Sequence, residues 1–148
     1  MRGCGPSARA GVASRRPSRR APYNVSSMGG LDDLAAIPPL KVWDGVIART
    51  VEGERVSLAV VELEPDSVVP EHSHENEQLG MVISGSVTFR VGSETRELGP
   101  GGTWRIASNT PHEVHTGPEG AVVIDVFAPV RHDWRELDVL DPQPPLWP

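Results

Sequence analysis

The chain has 148 residues, the length of one domain, and 38% of them are hydrophobic, which excludes disorder throughout. Fifteen glycines and 15 prolines, about a fifth of the chain, exclude a helical bundle and imply many short elements. The formal net charge is −6, yet the six arginines before position 21 stand in a segment without acids. From Met28 onward 8 Lys+Arg therefore face 20 Asp+Glu, a balance of −12 that argues against nucleic-acid binding.

Residues 1–27 are basic, rich in Ser, Ala and Pro, and without apolar periodicity. They read as a disordered extension of transit-peptide composition or as a start placed upstream of Met28, and are expected to be dispensable. No apolar core of a secretory signal follows the charges, so the location expected is cytoplasmic. The only cysteine, Cys4, lies here, which leaves no intramolecular disulfide and no thiolate metal site. Residues 28–40 form an N-terminal arm with apolar Leu31, Leu34, Ile37 and Leu40.

Residues 41–132 read as strand after strand. Val56–Leu63, Leu79–Ser84, Val87–Val91, Thr95–Leu98, Thr103–Ala107, Glu113–Thr116 and Ala121–Phe127 are short and rich in Val, Ile and Thr. Turn signals such as Ser84-Gly85-Ser86, Asn109-Thr110-Pro111 and Gly117-Pro118-Glu119-Gly120 separate them. The spacing predicts an all-β sandwich or barrel, and no stretch is periodic enough for the crossover helices of a parallel sheet. Aliphatic runs such as Leu58 to Val61 reach four residues, where a membrane span needs about 20. Residues 133–148 form a Pro-rich tail, either loose or docked through Leu146 and Trp147 on this or a second subunit.

His72 and His74 are one residue apart in the extended segment Val68 to His74, so both imidazoles share a face, the arrangement of a metal-ligand pair. Gln78 follows, and His112 opens a later strand that an antiparallel barrel can return beside the first. His115, three residues on, falls on the opposite face, and His132 lies beyond the last strand. In the segment Ala121 to Phe127, Val123, Asp125 and Phe127 share one face while Val122, Ile124 and Val126 share the other. Asp125 is then either a proton carrier facing the barrel or an outward surface carboxylate.

His72-x-His74-x3-Gln78-x6-Gly85 resembles the first cupin motif, and Gly101-x5-Ala107-x-Asn109-x2-His112 resembles the second. Asp66 and Asn109 stand where those motifs have glycine, and both residue types accept positive φ. Gln78 stands where glutamate is common. The resemblance implies a single jelly-roll barrel with extended N- and C-terminal arms and a homodimer. It also implies one divalent transition metal on His72, His74, Gln78 and His112. Neutral glutamine leaves that ion a stronger electrophile, favouring Zn, Ni, Fe or Cu over Mn.

Asp125-x-Phe127-x3-Arg131 is further similar to the small pectin-degradation cupins that convert 4,5-unsaturated uronates to keto forms. That likeness implies proton transfer by Asp125, ring packing by Phe127 and carboxylate pairing by Arg131. The function expected is a metal-dependent lyase or isomerase of a small sugar acid or carbonyl compound. An iron dioxygenase and a non-catalytic metal- or sugar-binding cupin are the alternatives. The partner expected is a small molecule, with neither nucleic acid nor membrane.

Overall fold

A computed structural model describes residues 30–148, so the expectation that residues 1–27 are dispensable lies outside the described residues. The strands are β1 Leu40–Trp43, β2 Val46–Glu52, β3 Ser57–Leu63, β4 Val68–His72, β5 Glu77–Val91, β6 Glu94–Leu98, β7 Thr103–Ile106 and β8 His112–Ala128. Two short 3-10 helices, Leu34–Ala36 and His132–Glu136, flank them, and no helix among the described residues is long and apolar enough to cross a membrane.

Each pairing is antiparallel, in the order β1-β2-β3-β8-β5-β6, with β4 joined to β8 and β7 to β5. The first half of β8 pairs with β4 and the second half of β5, while its second half pairs with β3 and the first half of β5. Two long strands thus run through both layers of a jelly roll and close a barrel around an apolar core.

This corrects the reading of Leu79–Ser84 and Val87–Val91 as separate strands, and of Glu113–Thr116 and Ala121–Phe127 likewise. Their turn signals bend the strands without ending them. Ladder register shifts at Val82/Ser84 and Gly85/Val87 mark the bend of β5. Gly85 has φ +73, and a Cβ there would lie 1.9 Å from the Gly120 carbonyl oxygen, so two glycines let the bent strands touch. Strands β1 and β2 extend the sheet before the first one read from the sequence. Asp66 and Asn109 do adopt positive φ, 57° and 60°.

The C-terminal tail is neither loose nor separate from the barrel. Trp134 packs into the core, Val139 bridges Leu40, and Leu140 N–H donates to Pro39 O at 2.9 Å, so the two arms pair with each other. Ile37 and Leu40 are buried within this chain, which removes them as support for arms exchanged between subunits, whereas Leu146 and Trp147 remain exposed.

The tail also lies against the outer face of β2 and β3. Arg49, fully buried, donates to Glu62 at 2.5 Å and to Gln143 O at 2.7 Å, and Glu62 accepts from Leu146 N–H at 3.1 Å. A guanidinium in that position depends on its carboxylate. Glu62→Ala is expected to cost about 3–5 kcal/mol, the usual loss when one member of a buried ion pair is removed. The measurement is the urea midpoint, and a shift no larger than a surface substitution gives would show that the pair carries little stability.

Candidate metal centre

The four ligand candidates arrive from three places in the fold. His72 ends β4, His74 follows it, Gln78 is the second residue of β5, and His112 opens β8 as the register partner of His72. The ligand nitrogens of the three histidines lie within 4.8 Å of one another. Each Nδ1 sits against a backbone carbonyl: His72 on Pro70 O at 2.8 Å, His74 on Asn76 O at 2.9 Å and His112 on Thr110 O at 2.8 Å. A carbonyl only accepts, so each Nδ1 carries the proton and each Nε2 keeps its lone pair.

Gln78 completes this set through its own orientation. Its amide nitrogen donates to Asp125 Oδ1 at 2.7 Å, which turns Oε1 toward His74 Nε2, 3.2 Å away. Two lone pairs facing each other at that distance are stabilised by a cation between them. His112 Nε2 is buried without a partner, an orphan of the kind that burial penalises unless something binds it. The residues present therefore fit a divalent ion with three imidazoles and one amide oxygen.

Burial lowers the pKa of all three histidines, with His112 pushed down to about 4 and the neighbouring imidazoles and Arg131 adding to the effect. They are neutral and available as ligands near pH 7. His115 and His132 are exposed and outside the cluster, and His115 pairs with Glu113 at 2.6 Å.

Asp125 faces the interior and is 7% exposed, which decides between the two orientations left open by the sequence. In one register row Asp125 pairs with Gly80 and Gly80 with Trp104. The Trp104 indole lies across Gly80, where a Cβ would be 2.3 Å from its ring, and its N–H donates to Asp125 Oδ1 at 2.8 Å. Burial pushes the Asp125 carboxyl up to about 6 against the opposing hydrogen bonds from Gln78 and Trp104 and the Arg131 charge.

Phe127 and Arg131 line the same cavity, which encloses ≈ 540 Å³ with its open mouth included. The Arg131 guanidinium lies over the rings of Phe127 and Trp134, 4.9 and 4.8 Å from their centroids. Its Nε and Nη2 both donate to Asp133, at 2.9 and 2.8 Å.

Sequence reasoning missed four contributors. Trp43 packs on His72 at 4.9 Å between centroids, and Asn76 anchors its loop by donating to Pro129 O while its own carbonyl orients His74. Trp104 and Asp133 hold Asp125 and Arg131. The available signal was weak: a glycine inside the Leu79–Ser84 run marks a close approach, without saying of what.

The fold and the site together define a jelly-roll barrel whose three converging imidazoles are compatible with a bound metal ion. Residues 59–127 match the Cupin_2 family model, and this part of the chain is a cupin domain. It is 27% identical over 93 residues to the pectin degradation protein KdgF of Dickeya dadantii (strain 3937), covering 62% of this chain and 84% of that one. The structure of KdgF from Halomonas sp. is similar with a TM-score of 0.66 and 25% identity, covering 71% of this chain and 97% of that one. The polyketide cyclase RemF from Streptomyces resistomycificus is also similar, with a TM-score of 0.61 and 26% identity over 69% of this chain and 80% of that one.

Proposed function

We propose that this barrel is a metal-dependent isomerase or lyase of a small carbonyl compound, with His72, His74, Gln78 and His112 as ligands and Asp125 as proton carrier. The observation that carries the reading is the hydrogen bond from Gln78 to Asp125, which joins the cation site to a buried carboxyl. A divalent transition ion held there supplies Lewis-acid polarisation of a carbonyl or enol oxygen.

The chain's own residues do the rest. Both donors to Asp125 converge on Oδ1, which leaves Oδ2 as the oxygen that exchanges a proton with substrate. In an enol-to-keto isomerisation the O–H proton is lost and a C–H bond forms, and one carboxyl handling both transfers keeps the reaction balanced without a co-reactant. Phe127 offers a ring face and Arg131 a cation above it. The similarity to the pectin degradation proteins makes a 4,5-unsaturated uronate the first substrate to try. A homodimer belongs to the same proposal, since Leu58, Leu79, Met81, Leu146 and Trp147 are exposed for a second copy to cover, and a cytoplasmic location is proposed with it from the sequence.

The test is turnover of that uronate by zinc- or nickel-loaded protein, followed as loss of the conjugated chromophore in air and under argon. Equal rates in both are expected for isomerisation. A requirement for O₂ would replace this reading with a dioxygenase, and no turnover of any enolisable carbonyl would leave a binding module.

A further inference from the structure

Strand β1 delivers two consecutive side chains to the cavity. Leu40 and Lys41 keep the alternation of a strand, one buried in the core and the other exposed, yet Val42 and Trp43 after them both line the cavity. Neighbours in a regular strand point to opposite faces. A bulge makes the exception: Lys41 pairs with Ile47 and Trp43 with Val46, so Val42 is one residue too many on β1 and Trp43 is turned inward. The turn that follows, Asp44-Gly45, is tied to the neighbouring loop, since Glu64 N–H donates to Gly45 O at 2.8 Å. The indole is therefore aimed by the backbone and held there.

Its place is the entrance. Among the described residues that line the cavity, only Val42, Trp43 and His72 are partly exposed and the others are buried, so these three form the rim. The indole lies against the His72 imidazole, 4.9 Å between centroids and tilted by 48°. A ligand whose oxygens reach the cation site lies beside this ring, and aromatic surface still wet at the rim is stabilised when an apolar face covers it. A ring offers such a face. An acyclic fragment with the same oxygens leaves the indole wet. We propose that Trp43 is a specificity-determining residue, the aromatic wall on which a cyclic ligand rests and by which the barrel prefers it to its acyclic counterpart. The proposal rests on the cation site of the reading above, and Trp43 takes no part in proton transfer.

The test is calorimetric titration of zinc-loaded protein with two probes, D-galacturonate as the cyclic acid and glycolate as its acyclic fragment, with zinc content measured in each sample. Trp43→Leu removes the aromatic face and is expected to weaken galacturonate about tenfold, the scale of one good aromatic contact, while glycolate stays within about threefold. Trp43→Phe keeps an aromatic face and is expected to hold both probes within about threefold of the parent.

A Trp43 that served only to pack His72 would, on change to Leu, shed zinc and weaken both probes together, and that result overturns the inference. Unchanged galacturonate affinity in Trp43→Leu overturns it as well, as does a Trp43→Phe variant as weak as Trp43→Leu. Turnover of a uronate with a KM that ignores Trp43→Leu overturns the inference and leaves the proposed reaction standing. Trp43-dependent binding of galacturonate by protein that turns over no enolisable carbonyl sustains the inference and removes the reaction. Protein that holds no zinc overturns both.

Discussion

Asp125→Asn is expected to abolish turnover while the metal stays bound. The asparagine Oδ1 still accepts from Gln78 and Trp104, so the amide that presents Oε1 to the cation keeps its orientation. What disappears is the oxygen that exchanges a proton, and loss of a general acid–base group lowers rates by roughly 10²–10⁴-fold. Activity within about threefold of the parent, a change that packing alone produces, would remove Asp125 from the mechanism.

The same variant has a stability signature of opposite direction. The folded protein raises the Asp125 pKa from 3.8 to about 6, so between those values the native state binds the proton more tightly than the unfolded chain. Stability from this group is present below pH 4 and is lost as pH rises through about 6. The ionised carboxylate then burdens the metal-free protein at pH 7 by an amount on the order of 2–3 kcal/mol. Asparagine carries no such burden, so metal-free Asp125→Asn is expected to melt higher than the parent at pH 7, the advantage closing near pH 4. The depressed histidines act in the opposite sense over much of this window, but they are common to both proteins and cancel in the difference. A variant no more stable than the parent at pH 7 would mean that Asp125 is not held as a costly buried carboxylate.

His112→Ala is expected to take the bound metal from one equivalent to less than about 0.2 under the same loading conditions. His112 Nε2 is buried without a hydrogen-bond partner, and it belongs to the most deeply buried of the three imidazoles. Even outer-sphere changes cost 10–100-fold in metal affinity, so removal of a ligand should exceed about 100-fold. Zinc should raise the melting temperature of the parent, because a ligand at about 100 times its dissociation constant stabilises by roughly 2.7 kcal/mol, and should leave the variant unmoved. Lowering the pH should release metal from the parent as protons compete for the three imidazoles. Full occupancy in His112→Ala would show that the cation, if bound, sits elsewhere.

Local rules carried much of this site. Period-two alternation placed His72 with His74 on one face, separated His112 from His115, and put Val123, Asp125 and Phe127 on the side opposite Val122, Ile124 and Val126. Turn chemistry predicted that Asp66 and Asn109 would accept positive φ in place of glycine. The same turn signals misled where the chain bends inside a strand, because Gly85 serves a kink as readily as a chain reversal, and only its contact with Gly120 distinguishes the two.

Alternation by itself left Asp125 with two equal orientations, since it says which residues share a face and not which face is inside. That choice belonged to the register, which set Gly80 between Asp125 and Trp104 and so gave the carboxyl a donor 21 positions away, with a second 47 positions away in Gln78. The tail was settled in the same way, by Arg49 reaching a carbonyl 94 positions later in the chain. Sequence alone determined the residue types, the alternation and the turns, because these depend on neighbours a few positions apart. The partners of Asp125, Arg131 and Arg49 were decided by the tertiary structure, because a buried polar group takes whatever donor or acceptor the strand pairing brings within reach.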